Sequence, residues 1–297
     1  MKIINLLKNK LDINEEKNFT AIIGSNPSKG ARSPLLWNYT FNKNNIDCKM
    51  HCFDVEENNI EEVINQLRNN NFFLGGAIAV PYKERIFDLL KNNVTPEAKN
   101  IGSINCLFRN NNGDLCGTNT DGEASVLALK EKTDKINGKK ILLIGPGGAG
   151  KAVSAYILKS MERPKDLYIS GRSKKTVEFC KKINCNFIEW HSFETVIDDF
   201  DIIINCSTLG HGELMNLSPI SLEGVKKIKK NALIYDIIYD PSPTKLLTSA
   251  INRNINTLDG KKMNLLQASL AFDYCIRSSS RNFITFELMS EEFNKIN

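Results

Sequence analysis

The segment ILLIGPGGAGKAV, residues 141–153, constrains the fold of this chain more strongly than any other stretch. Four apolar residues, the length of a buried parallel strand, run directly into Gly145, Gly147 and Gly150 at the spacing G-x-G-x-x-G, and a helix-forming run follows. In such a unit the first glycine permits a tight turn, the second admits a pyrophosphate to the backbone, and the third lets helix and strand pack closely. A second strand is predicted at 166–170, so the segment indicates a Rossmann-type dinucleotide site.

The residues after the second strand indicate which dinucleotide binds. An NAD site usually ends this strand with Asp or Glu, which accepts hydrogen bonds from the ribose 2′-hydroxyl, whereas a 2′-phosphate requires cations. Here the sequence GRSKK, residues 171–175, contains no acid, and the guanidinium of Arg172 can hold a phosphate bidentately. Alternatively, Arg172 and the lysines are the solvated start of a helix, although the helix dipole disfavours cations there. The predicted coenzyme is NADP.

Composition excludes several classes of protein. A length of 297 residues with 41% hydrophobic composition predicts a soluble globular protein of two domains. The net charge is only +5, and the lysine pairs lack interleaved aromatic residues, which argues against a nucleic-acid surface. No apolar run has the length of a membrane span or of a secretory signal, so a cytoplasmic protein without membrane contact is expected.

The cysteines and histidines point to free thiols and to no metal. Eight cysteines occur without a CxxC pair, which fits buried thiols in a reducing compartment better than disulfides. The histidines, His51, His191 and His211, are far apart in sequence and stand in no metal-ligand spacing. We therefore predict no metal site.

The first half of the chain alternates strands and helices and should have its own α/β core. Strands are predicted at 20–24, 48–55 and 72–80, and a hairpin at 103–119. Ahead of them, the spacing of Ile3, Leu7 and Leu11 predicts a short amphipathic helix, followed by a charged linker. The fold class is thus α/β, with one sheet in each domain.

Lys83 and Asp121 are candidates for proton transfer. Pro81 ends the third strand, and Lys83 falls on the first turn of the next helix, at the sheet edge where open α/β sheets bind ligands. A partly desolvated lysine there would have a lowered pKa, although an exposed lysine on a helix face fits the position as well. Asp121 begins another helix and is either its N-cap or a carboxylate beside Lys83.

Two segments later in the chain carry polar residues that have both a functional and a structural interpretation. The apolar strand in 198–210 ends in Asn205, Ser207 and Thr208, which either contact the coenzyme or cap the loop. Gln267 lies among apolar neighbours in the helix that follows Gly260, and its buried amide needs partners. A substrate hydroxyl or a backbone carbonyl would serve equally.

Nine sequence pieces, in order and spacing, resemble the shikimate dehydrogenases from about Thr20 to the C-terminal helix. They are GSNPSKGARSP, GGAIAVPYK, IGSINCL, NTDG, IGPGGAG, GRS, INCSTLG, YDIIYDPSPTKLL and DGKKMNLLQA. The resemblance implies an α/β substrate-binding domain, residues 1–120 with 261–297, and an NADP-binding Rossmann domain, residues 121–260, with a cleft between them. It implies the NADPH-dependent reduction of 3-dehydroshikimate to shikimate in the aromatic amino acid precursor (chorismate) pathway, by a monomer or homodimer whose partner is a small-molecule substrate.

The same resemblance implies roles for individual residues. Lys83 and Asp121 match the family's catalytic pair, where the lysine gives a proton to the developing alkoxide and the aspartate also holds a substrate hydroxyl. The implied substrate contacts are Ser33, Asn105, Asp121, Tyr239 and Gln267. The implied coenzyme contacts are Gly145, Gly147, Gly148, Ala149, Gly150, Gly171, Arg172, Ser173, Lys175, Ser207, Ile238, Gly260 and Met263.

Three positions depart from the family pattern. The family's S-K-S-P stands here as ARSP at 31–34, and its N-V-T-V-P as AIAVP at 77–81, so Ala31, Ala77 and Ala79 replace polar residues that help to hold the substrate. Each lost hydrogen bond to a charged group costs about 1.5–3 kcal/mol. Polar side chains of the first loop that could compensate are Ser25, Ser28, Lys29 and Arg32.

These departures leave two alternatives to a plain shikimate dehydrogenase. One is a related oxidoreductase that acts on another hydroxylated ring acid or on a cyclic alcohol. The other is a non-catalytic NADP-binding regulator, for which there would be no reason to keep both Lys83 and Asp121. The retained proton-transfer residues favour a working enzyme.

Overall fold

Two sheets, each with its own helices, make up the part of the chain that the computed structural model describes, residues 3–11, 13, 17–90, 92–190, 192–276 and 283–296. The chain divides into two units: one runs to Thr120 and resumes at Leu265, and the other comprises Asp121–Asn264. Within the described ranges, no helix has both the length and the apolar character to cross a membrane.

The first unit is built on a five-stranded sheet in the order β2-β1-β3-β4-β5. The first three strands are parallel, and the last two continue the sheet as an antiparallel hairpin. The strands are β1 (Phe19–Gly24), β2 (Lys49–Asp54), β3 (Phe73–Ile78), β4 (Cys106–Arg109) and β5 (Leu115–Thr118). The helices before the second unit are α1 (Ser33–Lys43), α2 (Ile60–Asn69), α3 (Lys83–Leu90) and α4 (Pro96–Ile101).

The segment before β1 does not form the predicted amphipathic helix. Among the described residues before β1, regular structure is limited to a 3-10 turn at Ile3–Leu6, and Leu7 makes an isolated antiparallel bridge with Val55. The Asn9 side chain then hydrogen-bonds the edge of β2: its amide donates to the Cys52 carbonyl (2.9 Å), and its oxygen accepts from the Asp54 N–H (3.0 Å). An isolated helix of this length is only marginally stable, so contacts with the edge of β2 decide the conformation of the segment.

The second unit is a six-stranded parallel sheet in the order β11-β10-β9-β6-β7-β8. Its strands are β6 (Ile141–Ile144), β7 (Leu167–Gly171), β8 (Asn186–Glu189), β9 (Ile202–Asn205), β10 (Leu233–Asp236) and β11 (Asn256–Leu258). Its helices are α5 (Asp121–Lys130), α6 (Gly148–Leu158), α7 (Lys174–Lys182), α8 (Leu222–Lys227) and α9 (Lys245–Ile251). The strand order reverses between β6 and β9, and ligands of such sheets bind at this switch point.

The last two helices return the chain to the first unit. They are α10 (Lys261–Ile276) and α11 (Phe283–Ile296). Phe272 on α10 stacks against Trp37 and Phe41 of α1, with ring centroids 5.2 and 5.0 Å apart, and the Trp37 indole N–H donates to the Ala268 carbonyl (3.1 Å). This aromatic cluster anchors the part of α10 that carries Gln267.

Candidate functional site

The glycine loop at the switch point has the geometry of a phosphate cradle. It joins β6 to α6, and Gly147 is the N-cap of α6. Gly145 has φ +90°, and a β-carbon there would lie 2.7 Å from the backbone of Ser207. A β-carbon on Gly150 would lie 2.3 Å from the Gly145 carbonyl oxygen. The loop therefore tolerates only glycine at these two positions, and it presents the first N–H groups of α6, including those of Gly148 and Ala149, for an anion.

A cavity of about 310 Å³ lies beside the C-terminal end of β7. Gly171, Arg172 and Ser173 line it, and Ser173 is the N-cap of α7, where its hydroxyl accepts from the Lys175 N–H (3.2 Å). Lys175 itself does not line the cavity. A guanidinium beside a helix N-terminus fits a ribose 2′-phosphate.

Trp190 is a member of this site that the sequence did not predict. Its ring lies under the guanidinium of Arg172, 5.4 Å from centroid to Cζ, and lines the same cavity. Phe193, which is buried, meets Trp190 edge-on with centroids 6.1 Å apart. The ring thus supports Arg172 from a fixed position, although Glu189 also lines the cavity and opposes an anion.

The carboxyl ends of β9 and β10 are joined by a buried polar network. Asn205 donates to Asp236 (3.1 Å) and accepts from both the backbone N–H (3.0 Å) and the hydroxyl (2.7 Å) of Ser207. Asp236 also accepts from the Ile238 N–H (3.1 Å) and from the Thr244 hydroxyl (2.8 Å). The network fixes the backbone at two predicted coenzyme contacts, Ser207 and Ile238. The Ser207 hydroxyl caps its own loop, as the structural interpretation expects.

The other predicted positions of the second unit are Tyr239, Gly260 and Met263. Gly260 donates its N–H to the Ile238 carbonyl (3.0 Å), and a β-carbon on Gly260 would lie 1.9 Å from the Ile237 carbonyl oxygen. Met263 is buried, and Tyr239 is half-buried in the segment after β10.

Burial raises the pKa of the Asp236 carboxyl to about 6, although its hydrogen bonds from Thr244, Asn205 and Ile238 oppose the shift. An aspartate in an unfolded chain has a pKa of about 3.9. The native state therefore binds the proton more tightly, and Asp236 lowers stability progressively as pH rises from about 4 to above 6. The difference of about two between the native and the unfolded pKa corresponds to about 3 kcal/mol of unfolding free energy.

We therefore expect Asp236→Asn, which is neutral at every pH, to change the pH dependence of stability. The free energy of unfolding of the variant relative to the native protein should rise by up to about 3 kcal/mol between pH 4 and pH 7. Urea denaturation at several pH values measures it, with the exposed Asp198→Asn as the matched control. A difference between variant and native protein that is independent of pH would contradict the role assigned to Asp236.

In the first unit, Asn105 and Gln267 are brought together across 162 residues of sequence. The Asn105 amide donates to the Thr120 hydroxyl (2.9 Å) and to the Gln267 side-chain oxygen (3.4 Å), and its oxygen accepts from the Thr120 N–H (2.7 Å). The Thr120 hydroxyl in turn donates to the Gln267 carbonyl (3.1 Å). Thr120, which the sequence did not single out, thus orients both predicted substrate ligands.

Lys83 and Asp121 each begin a helix. Lys83 is the first residue of α3, its side chain is half-buried, and its carbonyl accepts from the Ile104 N–H (3.1 Å), next to Asn105. Asp121 is the first residue of α5, is buried, and directly follows Thr120 in the chain. Lys83 belongs to the first unit and Asp121 to the second. Ser33 begins α1 and is buried.

The three alanines that depart from the family pattern belong to one apolar cluster. Ala77 is buried in it, and Ala31 and Ala79 are half-buried against the same core of Leu36 and Trp37. Methyl groups of one apolar cluster thus stand at the three positions where the resemblance implies hydroxyl and amide groups. Of the predicted compensating residues, Ser28 already donates its N–H (2.9 Å) and its hydroxyl to Asp54.

Within the residues that the structure describes, no group of three or more His, Cys, Asp or Glu side chains could hold a metal ion. His51 and His211 are among those residues, and His191 lies outside them.

Comparisons with known proteins agree with this geometry. The model of the shikimate dehydrogenase substrate binding domain matches residues 22–107, and that of shikimate / quinate 5-dehydrogenase matches residues 127–242. A shikimate dehydrogenase (NADP(+)) of Clostridium botulinum strain Hall is 33% identical over 251 residues, which are 84% of this chain and 93% of that protein.

Solved structures give the same result. The shikimate dehydrogenase of Aquifex aeolicus is 26% identical, with a TM-score of 0.81 over 95% of this chain and 99% of that chain. A shikimate dehydrogenase solved in complex with NADP+ is 25% identical, with a TM-score of 0.81 over 96% of this chain and 98% of that chain. Because the Clostridium botulinum enzyme is 33% identical over 84% of this chain and 93% of its own length, the chain belongs to the shikimate dehydrogenase family.

Proposed function

We propose that the protein catalyses the NADPH-dependent reduction of 3-dehydroshikimate to shikimate. The observation that carries the proposal is the hydrogen-bonded cluster of the buried Asn105 and Thr120 with the half-buried Gln267, whose amide and hydroxyl groups suit a polyhydroxylated ring. In this proposal the substrate domain comprises residues 1–120 with 261–297, and the NADP domain comprises residues 121–260.

Within this proposal, the residues of the chain bind the ring and move one proton. Bound NADPH supplies the hydride for the ring ketone. Lys83 donates a proton to the oxygen on which negative charge develops, and Asp121 accepts a hydrogen bond from a ring hydroxyl. Ser33, Asn105, Tyr239 and Gln267 position the ring, so that the carbonyl carbon meets the coenzyme in one orientation.

One assay tests this function. Purified protein is mixed with NADPH, and the absorbance of NADPH is followed with 3-dehydroshikimate, with dehydroquinate and with a small panel of ring ketones. Oxidation of NADPH that is fastest with 3-dehydroshikimate supports the proposal. Binding of NADPH without turnover of any ketone would identify a non-catalytic binding protein instead.

A second candidate is a related oxidoreductase that acts on another hydroxylated ring acid or on a cyclic alcohol. The apolar cluster of Ala31, Ala77 and Ala79 favours it, because methyl groups cannot hydrogen-bond a carboxylate. A substrate that has an apolar group or a neutral hydroxyl in place of the carboxylate would lose less affinity from these alanines. The same assay distinguishes the candidates by the ketone that gives the highest kcat/KM.

The coenzyme assignment predicts a specific effect of Arg172. We expect Arg172→Ala to raise the Kd for NADP by roughly tenfold or more, because a charge-assisted hydrogen bond contributes about 1.5–3 kcal/mol, and to change the Kd for NAD much less. Isothermal titration of both coenzymes measures the ratio. Arg163→Ala is the matched control, because Arg163 is an exposed arginine of the same unit that does not line the cavity. Equal losses for NADP and NAD would show that Arg172 does not contact the 2′-phosphate.

We also infer that the enzyme acts in the cytoplasm, as a monomer or homodimer. Each of the eight cysteines is a free thiol, which suits a reducing compartment. Light scattering after size-exclusion chromatography measures the oligomeric state.

A further inference from the structure

Two cysteines meet at the C-terminal end of α7. The Cys185 N–H donates to the Cys180 carbonyl (3.0 Å), the Asn184 N–H donates to the Lys181 carbonyl (3.3 Å), and Asn184 is left-handed, with φ +56°. These features define a Schellman motif, in which the side chains of the first and last residues commonly touch. Here those residues are Cys180 and Cys185. A backbone hydrogen bond this short keeps their Cα atoms near the separation that a disulfide requires.

The two thiols line a cavity of about 330 Å³. Both side chains have little exposed area, so the cavity is their route to small solutes. Lys165 and Lys181 line it as well, and the Lys165 ammonium donates to the Cys185 carbonyl (3.4 Å). A thiol pair beside ammonium groups, in a cavity that admits small molecules, is the environment of a reactive cysteine.

The thiols differ in acidity. The hydrogen bond from the Cys185 thiol, together with the charge of Lys165, lowers the pKa of Cys180, although burial opposes the shift. The same hydrogen bond and burial raise the pKa of Cys185. The lowered pKa of Cys180 favours this thiol as the one that attacks first.

The cavity at the thiols adjoins the proposed coenzyme cavity. Val177 on α7 and Phe187 on β8 line both cavities. Formation of a disulfide brings two sulfurs to about 2.05 Å, and because the Cα atoms already lie near the required separation, the two side chains that line the cavity rearrange. We expect this rearrangement to repack Val177 and Phe187, the walls that the two cavities share, and thereby to alter the cavity that contains Arg172.

We propose that Cys180 and Cys185 form a peroxide-oxidisable dithiol whose disulfide weakens coenzyme binding; this effect on NADP rests on the proposed function. The Cys180 thiolate attacks one oxygen of hydrogen peroxide, the O–O bond breaks, and the products are a sulfenic acid at Cys180 and hydroxide. The Cys185 sulfur then attacks the sulfenic sulfur and displaces hydroxide, and its proton converts hydroxide to water. In total, two thiols and one peroxide give one disulfide and two waters.

The experiment titrates the purified full-length protein with hydrogen peroxide and maps the thiols by differential alkylation and mass spectrometry. Trypsin cuts after Lys181 and Lys182, so the disulfide is detected as two cross-linked peptides. We expect this cross-link first, reversal by dithiothreitol, and a Kd for NADP at least threefold higher in the oxidised protein. In Cys185→Ser a dimedone adduct should form at Cys180, and Cys180→Ser should resist oxidation at Cys185.

The protein contains a matched internal control. The Cys106 and Cys275 sulfurs lie 3.8 Å apart in the first unit, but both thiols are buried and bonded to backbone carbonyls, and burial raises the pKa of Cys275. Oxidation of this pair before Cys180 and Cys185 would overturn the proposal. A disulfide that leaves the Kd for NADP unchanged would overturn its coupling to the coenzyme. Because the thiols are mapped without NADP, failure of the proposed function would leave the cross-link unaffected.

Discussion

Replacement of Lys83 by alanine is expected to lower kcat for 3-dehydroshikimate by roughly 10²–10⁴-fold, the usual contribution of a positioned general acid. The physical reason is that the alkoxide formed by hydride transfer would have to take its proton from water. The Kd for NADPH should stay within about twofold, because the phosphate cradle and Arg172 lie in the other unit. Steady-state kinetics and coenzyme titration measure the two quantities.

Lys99→Ala is the control for this experiment, because Lys99 is an exposed lysine on α4 in the same unit. It should leave kcat unchanged. A Lys83→Ala enzyme with the native kcat would remove Lys83 from the mechanism, whereas a raised KM with the native kcat would make it a binding residue only.

The double variant Ala31→Ser with Ala79→Thr is expected to raise kcat/KM for 3-dehydroshikimate by roughly tenfold or more. Each restored hydrogen bond to a carboxylate contributes about 1.5–3 kcal/mol, and both positions are half-buried, so the new hydroxyls can reach a ligand. Ala77→Asn differs, because Ala77 is buried, and an unpaired amide there should destabilise the fold by about 1–3 kcal/mol.

Kinetics with the ketone panel and thermal denaturation separate these effects. Ala155→Ser, at a half-buried alanine of α6 in the second unit, serves as the control for a new hydroxyl. A fall in kcat/KM for 3-dehydroshikimate in the double variant, with intact stability, would show that the native methyl groups contact an apolar part of the substrate. The second candidate function would then be preferred.

Local sequence patterns were sufficient to predict the strands and the glycine loop. The run Ile141–Ile144 and the glycines after it specify a strand and a turn from neighbouring residues alone, and the structure contains both. Helix α4 was missed although its signals are local: Thr95 caps it, Pro96 begins it, and Gly102 ends it in a left-handed conformation.

The features that could not be predicted depend on distant partners. Trp190 supports Arg172 only because β7 and β8 are neighbours in the sheet. Thr120 belongs to the NTDG piece, but its role could not be predicted, because it depends on Asn105 and Gln267, which meet it only in space. The N-terminal segment follows the edge of β2, a surface that does not exist until the sheet has formed.

Backbone groups at both edges of the first sheet are already hydrogen-bonded within this chain. Asn9 takes the outward N–H and carbonyl groups of β2, and at the opposite margin the backbone of residues 93–95 exchanges hydrogen bonds with Gly117 of β5. A foreign strand that docked at these places would find its hydrogen-bonding positions filled. Self-association through continuation of this sheet is therefore blocked there, and a homodimer would have to form through other surfaces.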